Sequence, residues 1–303
     1  GTRHVRALAV RAVWFGLSPA TRGCAWMILA ATSFAVLLIA IRVLSAKFHT
    51  VEIVFFRSVF GLALMVPVVM RSGLVRLKTR RLPMHCMRTL FALAAMLAFY
   101  YGLATVSVAD AMALTFVIPI FTTIAAAVIL RERVDGPRWA AVAIGFVGAL
   151  IVIRPGFVET TLPMMMVVLS SVFYAGAWTS VKLLTRTEPA SVIVFYMNVM
   201  LVPATLVPSI YVWVGPAWSD LPALIILGLT GWAAHFCQAR AFGEADASVV
   251  APFDFLRLPF GAVFAWVWLG EPSDPWTWLG AAVIFTATYY ITWREGQMTR
   301  TKR

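Results

Sequence analysis

The sequence predicts an all-α integral membrane protein of ten transmembrane helices, arranged as two inverted five-helix repeats. Three observations predict it. The chain of 303 residues is 61% hydrophobic and 13% charged, where soluble proteins carry roughly 45–50% apolar and roughly 25% charged residues; its mean hydropathy is +0.87. So few charges cannot wet a soluble surface of this size, which excludes a soluble enzyme and a disordered chain. The apolar residues gather into ten runs, each near the roughly 20 residues that a hydrocarbon core requires. Finally, a shift of 139 residues brings the first half of the chain into register with the second.

The spans follow in order at 23–44, 51–70, 87–107, 109–130 and 139–153, then 162–184, 191–211, 221–242, 247–269 and 276–293. Before the first lies a segment, 1–22, with Arg3, Arg6, Arg11 and Arg22. Its apolar stretch is too short and interrupted for a signal-peptide core, so span one is expected to be retained. With that segment in the cytoplasm, the loop after span two holds Arg71, Arg76, Lys78, Arg80, Arg81 and Arg88, and the loop after span four holds Arg131, Arg133 and Arg138. Lys182, Arg186, Arg240 and the tail 294–303 add to the same side, against Arg42, Lys47 and Arg154 on the other. The positive-inside rule therefore puts both termini in the cytoplasm.

Net charge is +12, yet the cations sit between apolar runs and form no continuous stripe, which argues against a nucleic-acid partner. Cys24, Cys86 and Cys237 lack metal-ligand spacing. Neither a metal nor a cofactor is expected. There is no Gly-rich phosphate loop, no His-Glu-x-x-His pair and no Gly-x-Ser-x-Gly turn, so ATP drive and membrane hydrolysis have no visible machinery.

The register shift pairs Phe116 with Phe255, Phe121 with Phe260, Leu130 with Leu269, Glu132 with Glu271, Asp135 with Asp274 and Trp139 with Trp278. Apolar matches arise by chance between two Ala/Leu/Phe-rich halves; the Glu, Asp and Trp trio at one offset carries the weight. The two copies are 23–156 and 157–293. Each holds five spans, and an odd number makes the second copy enter the membrane from the opposite side. Inverted halves about an in-plane pseudo-two-fold are a recurring transporter design, with the substrate site near the midplane.

Residues 104–156, reading ATVSVADAMALTFVIPIFTTIAAAVILRERVDGPRWAAVAIGFVGALIVIRPG, resemble the EamA domain of the drug/metabolite transporter superfamily. The pattern is small residues (Ala109, Ala111), a mid-helix proline (Pro119), Glu132-Arg133 at the helix end and Gly145 with Gly148 in the next helix. The second copy offers Ala247, Pro259, Gly270-Glu271 and Gly280, with Pro272 where the first copy has arginine; Phe55 to Arg57 also resembles the family. The resemblance implies a ten-helix carrier of small metabolites, often an exporter of amino acids, whose cavity is lined by spans one, three, four, six, eight and nine.

Ionisable groups inside spans cost at least roughly 2.5–3.5 kcal/mol each on insertion scales, so each needs a reason. In span nine, Asp254 and Arg257 are three residues apart and share a helix face. Asp254 reads as a proton-coupling carboxylate or as the partner of a substrate ammonium, and equally as an internal ion pair with Arg257 or Arg57. Arg257 could also receive a substrate carboxylate through a bidentate fork. Arg57 in span two reads more readily as structural, and Arg240 as half of a pair with Glu244 at i+4. In span eight, Trp232, His235 and nearby Gln238 suggest one polar-aromatic face; in span six, Ser171, Tyr174 and Trp178 do the same; span three ends in Tyr100 and Tyr101. Ten of these residues, all but Arg57 and the Arg240–Glu244 pair, make up the expected substrate cavity, with packing as the alternative reading for each aromatic. Pro119, Pro252 and Pro259 remove backbone donors from spans four and nine and are candidate hinges. Ala141, Gly145 and Ala149 form a small-residue ridge expected to pack within a monomer. Trp213, Trp218, Trp276, Trp278 and Trp293 read as an interfacial belt. Glu132 and Glu271 read as anchors for neighbouring helix ends.

The expected function is a secondary carrier, not an enzyme, in a bacterial-type inner membrane, exporting small amino-acid-like metabolites by alternating access, with the lipid bilayer as its surroundings. The competing readings are an importer or exchanger of nucleotide, sugar-nucleotide or phosphorylated compounds on the same fold, and a lipid scramblase or membrane enzyme.

Overall fold

The computed structural model describes residues 17–72, 78–128, 136–154, 161–245 and 247–301, and among them the chain forms twelve α-helices and no strand. In chain order these are α1 (Pro19–Leu44), α2 (Thr50–Ser72), α3 (Leu82–Leu103), α4 (Val108–Thr115), α5 (Ile118–Val128), α6 (Gly136–Ile153), α7 (Leu162–Leu184), α8 (Ala190–Tyr211), α9 (Leu221–Glu244), α10 (Ala247–Asp254), α11 (Arg257–Leu269) and α12 (Pro275–Thr301). Six of them are long and apolar enough to cross a membrane. Twelve helices make ten spans because spans four and nine, expected to be continuous, are each broken in two.

Local chemistry starts the helices where the sequence allows. The Ser18 hydroxyl accepts the Thr21 N–H at 3.2 Å at the head of α1, and Ser107 accepts Asp110 N–H at 3.1 Å at the head of α4, each satisfying an otherwise orphaned donor. Prolines stand in the first turn of α1, α3, α7 and α9, where a missing N–H costs nothing. In α3 this start lies at Leu82 instead of Met87, so Arg88, expected in a loop, is inside the helix and 3% exposed. The α11 helix stops at Gly270, whose φ of 68° is a left-handed cap that glycine adopts without strain.

The packing is that of two halves related by a pseudo-two-fold. α1 lies along α9 and α3 along α7, which are the same pair of repeat positions exchanged; α2 packs on its counterpart α8, and α6 on its counterpart α12. The breaks obey the symmetry too. Thr115 ends α4 where Asp254, its partner at the 139-residue shift, ends α10, and the intervening Phe116 and Phe255 meet with ring centroids 4.2 Å apart. At both breaks the backbone tightens to i→i+3 bonds, Phe116 N–H to the Ala113 carbonyl at 3.1 Å and Leu256 N–H to the Phe253 carbonyl at 3.2 Å. Pro119 and Pro259 follow directly, in the first turns of α5 and α11, and cannot supply the donor that would continue each helix. Pro252 lies inside α10. The Ala141, Gly145 and Ala149 ridge of α6 faces α5 and α12 of the same chain.

The far ends of the bundle, opposite the face that collects most of the arginines, are tied across the two halves. Arg42 reaches Glu271 at 2.9 Å and donates to the Leu103 carbonyl at 2.9 Å, while the other Glu271 oxygen accepts Val108 N–H at 3.3 Å. Arg154 pairs with Asp274 at 2.9 Å, Lys47 with Asp220, Val214 N–H with Glu52 at 2.7 Å, and the Thr277 hydroxyl with Asp110. Glu271 is thus the helix-end anchor its position suggests; Glu132, Arg133 and Asp135 lie outside the described residues. On the basic face, Arg22 and Arg240 share Glu244 at 3.0 and 2.8 Å. Ion pairs this accessible contribute up to about 1 kcal/mol each, equivalent to about a fivefold shift between two states. Glu271→Gln should therefore raise, about fivefold, the rate at which a cysteine at position 100 reacts with an impermeant thiol reagent from the far side, in a chain lacking Cys24, Cys86 and Cys237. An unchanged rate refutes the latch.

Candidate functional site

The two broken spans leave a gap at the centre of the bundle. Its walls are Phe34, Leu37 and Leu38 of α1, Phe99 and Tyr100 of α3, Met112 and Thr115 of α4, Ile118 of α5, Tyr174 and Trp178 of α7, His235 of α9 and Arg257 of α11. These are spans one, three, four, six, eight and nine. The cavity is about 40 Å³; one water needs about 10–15 Å³, so it holds a few waters, and a metabolite requires the walls to part.

Most of that wall is apolar and aromatic. The Phe34 ring meets the His235 ring edge-on at 5.3 Å, and Phe99 meets Tyr174 at 6.2 Å. The Thr115 hydroxyl donates to its own helix, to the Met112 carbonyl at 2.7 Å. Against this lining stands one charged group. Because α10 ends at Asp254 and α11 begins at Arg257, the break presents both side chains to the interior, 5% and 7% exposed, with Arg257 Nη2 3.1 Å from Asp254 Oδ2. The guanidinium lies over the Phe116 ring at 5.1 Å and the Trp178 ring at 5.6 Å, a setting in which desolvation strengthens cation–π attraction. Asp254 Oδ1 and Arg257 Nε have no hydrogen-bond partner among the described residues. The pair therefore keeps one free acceptor and one free donor, with Arg257 in the wall of the aromatic slot and Asp254 against it, the complement of an ammonium and a carboxylate.

The structure brings Tyr100, Tyr174, Trp178, His235 and Arg257 together around this cavity and leaves other expected residues elsewhere. Tyr101 is 45% exposed on the outer surface of α3, since neighbours on a helix point about 100° apart and only one of two consecutive tyrosines can face inward. Ser171 turns to α4 and its own helix, donating at 3.4 Å to the Leu114 and Val167 carbonyls. Trp232 stacks on Phe236 at 5.2 Å, off the lining. Gln238 is buried beyond His235, toward the basic face, with its amide nitrogen unpartnered among the described residues. Asp254 pairs with Arg257 and not with Arg57. Arg57 is 1% exposed and, among the described residues, reaches only Met96 Sδ and the Gly231 carbonyl, each at 3.5 Å.

Sequence reasoning missed Phe34, Leu37, Leu38, Phe99, Met112, Thr115 and Ile118, which carry no signal that separates a cavity wall from a core. It also missed Arg88 and His85, both buried in α3. Pro83 was the available signal, since a proline marks a first helical turn and moves the helix start ahead of both.

Comparisons with known proteins fit this architecture. Residues 21–154 and 161–293 each match the EamA-like transporter family. The chain is 28% identical over 280 residues to the S-adenosylmethionine uptake transporter of Rickettsia prowazekii, covering 92% of this chain and 95% of that protein. It is 31% identical to the riboflavin transporter of Rhizobium johnstonii, covering 93% and 95%, and 30% identical to the pseudopaline exporter CntI of Pseudomonas aeruginosa, covering 86% and 92%. A solved crystal structure at 13% identity superposes with a TM-score of 0.64 over 92% of this chain and 98% of the other, a likeness of fold alone.

Proposed function

The chain belongs to the EamA-like transporter family, a family of small-metabolite carriers, and from that premise we propose that it moves an amino-acid-like metabolite with a flat apolar body through the central cavity by alternating access. One observation carries the reading: a buried Asp254–Arg257 pair with a free acceptor and a free donor among the described residues, set at a helix break, whose arginine stands in the cavity wall with Phe34, Phe99, Tyr100, Tyr174 and Trp178. An ammonium next to Asp254 and a carboxylate next to Arg257 replace the water each group loses, while the rings take the apolar body. The breaks in spans four and nine are the natural moving parts, with Pro119, Pro252 and Pro259 as hinges, because each half-span can tilt without breaking a continuous hydrogen-bond ladder.

Amino acids are the expected cargo; the relatives named above widen the class to S-adenosylmethionine, riboflavin and pseudopaline and include both uptake and export. Direction in such a carrier follows the gradients across the membrane; export is our reading from the family resemblance, and the charge distribution of the loops supports both termini lying on the cytoplasmic side of a bacterial inner membrane. The monomer contains the whole cavity.

Proteoliposomes loaded with labelled amino acids, S-adenosylmethionine and riboflavin test the reading by protein-dependent efflux, with and without a pH gradient. Aromatic amino acids are expected to leave fastest, and Trp178→Ala to slow them about tenfold, since loss of the ring removes both apolar area and the stack on Arg257. Loss of riboflavin or S-adenosylmethionine with every amino acid retained overturns the amino-acid assignment; retention of all cargo by folded protein overturns the transport reading of this cavity.

A further inference from the structure

The interior of the bundle carries more positive charge than its carboxylates answer. Asp254 is taken by Arg257, and Glu52 is occupied at the far end by the N–H groups of His49 and Val214 at 3.0 and 2.7 Å. That leaves Arg57 and Arg88, 1% and 3% exposed, with no carboxylate partner among the described residues. Their hydrogen bonding is just as incomplete. Arg57 Nε, Arg88 Nε and Arg88 Nη1 are buried donors without acceptors among the described residues, and both ring nitrogens of His85, one helical turn from Arg88, lack hydrogen-bond partners there too. A guanidinium reaching only a thioether and one carbonyl at 3.5 Å is poorly compensated, because buried charge is stable only when paired and hydrogen-bonded.

The position of these groups matters as much as their number. Arg57 extends from α2 between α3 and α9, touching Met96 on one and Gly231 on the other. Tyr100 and His235, each four residues further along those two antiparallel helices, line the central cavity toward the far and the basic face respectively, so Arg57 stands behind the cavity wall at a depth between them. Arg88 lies on α3 two turns nearer the basic face than Met96, within electrostatic reach of Arg57 and of His235. A Cβ on Gly231 would stand 2.6 Å from Arg57 Nε, so only glycine there leaves the guanidinium its place. Together the residues place unfilled donors along the α2–α3 side of the bundle, Arg57 level with the aromatic slot and Arg88 nearer the basic face.

We infer that Arg57 and Arg88 form an oxyanion site, in which a carboxylate or phosphate group of the transported molecule is held on the α2–α3 side of the cavity while its apolar body occupies the ring-lined slot. The proposal rests on reading the cavity as a transport path, and it adds a second oxyanion station besides Arg257, at which the negative group of the cargo can also be held. Arginine suits the task because its planar fork presents parallel donors to an oxyanion. A purely structural role for the two arginines predicts the opposite chemistry: no response to anions, and a loss of folding when either is neutralised.

The test reads binding and transport separately. Purified protein is titrated with inorganic phosphate, acetate and chloride at constant ionic strength, following the thermal unfolding midpoint, for the wild type and for Arg57→Gln, Arg88→Gln and Arg57→Lys. Phosphate or acetate, not chloride, is expected to raise the wild-type midpoint in a saturable manner; which of the two does so identifies the group. Each glutamine variant should weaken that response at least tenfold while its own midpoint without anion stays level or rises. Arg57→Lys, which keeps the charge and loses the fork, should fall between. A wild-type midpoint indifferent to both oxyanions, a response equal to that with chloride, or an undiminished response in both glutamine variants overturns the site. If anions bind as expected but no oxyanion-bearing metabolite crosses proteoliposomes, the site stands and the transport path fails; if cargo crosses and no anion is felt, the path stands and the site fails.

Discussion

Asp254→Asn should abolish the response of transport to an imposed pH gradient while exchange of labelled for unlabelled cargo continues within a few-fold of the wild-type rate. The carboxylate is the one acidic group at the helix break, 5% exposed, with one oxygen free of hydrogen bonds among the described residues and a guanidinium on the other. Asparagine keeps the shape and an acceptor but cannot carry a proton. The same variant exposes the energetics of the pair. It leaves Arg257 charged among the Phe116 and Trp178 rings without a counter-charge, and breaking a buried pair on one side costs about 3–5 kcal/mol. Arg257→Gln leaves a carboxylate that can escape the penalty by binding a proton, so it should cost less stability, and the double variant should recover part of the loss seen in Asp254→Asn. Unfolding midpoints of the four proteins form a double-mutant cycle in which a coupling below about 0.5 kcal/mol would mean the two groups do not depend on each other. A pH-gradient response that survives in Asp254→Asn would leave the carboxylate a partner of Arg257 and nothing more.

How far the site could be read from the chain depends on what the chain writes down. Periodic hydrophobicity and loop charge wrote the ten spans, and the Glu271, Asp274 and Trp278 matches wrote the repeat, because each is a one-dimensional pattern. The breaks at Phe116 and Phe255 were half legible: Pro119 and Pro259 announced a disturbance, but a proline reads equally as a kink in one helix or as the first turn of another. Tyr100 and Tyr101 show the limit of composition without phase, since two adjacent tyrosines cannot share a face and nothing local says which one the bundle buries. Ser171 was drawn off the expected face by the Leu114 carbonyl of a distant helix, a contact that exists only after folding. The fate of Arg57 and Arg88 was illegible for the same reason. Whether a buried cation meets a carboxylate is decided by which helices pack together, and neither arginine has one within its own helical neighbourhood.

The crossing of α6 and α12 should be the least forgiving place in the fold, and Gly280→Leu is expected to abolish folded protein in the membrane. The two helices are counterparts across the pseudo-two-fold, and they approach through facing glycines. A Cβ on Gly280 would stand 2.7 Å from the Gly148 carbonyl oxygen and 2.5 Å from Val152 Cγ2; one on Gly148 would stand 3.0 Å from the Gly280 carbonyl and 2.7 Å from Ile284 Cγ1. A crowded side chain can rotate away, but a backbone carbonyl moves only with its helix, so the helices must separate and give up the van der Waals contact that holds spans together in lipid. Overpacking a core costs about 1–3 kcal/mol for modest insertions; Gly280→Ala should fall in that range and Gly280→Leu beyond what a marginally stable protein tolerates. Gly243→Ala is the control, because nothing lies within 4 Å of its added carbon and it sits in the last turn of α9; there alanine should be neutral or stabilising by up to about 1 kcal/mol. Yield of monodisperse protein and its unfolding midpoint check the series. Wild-type behaviour from Gly280→Leu would mean that α6 and α12 do not meet through these glycines, and with that the symmetry that sets the two helix breaks face to face would lose its foundation.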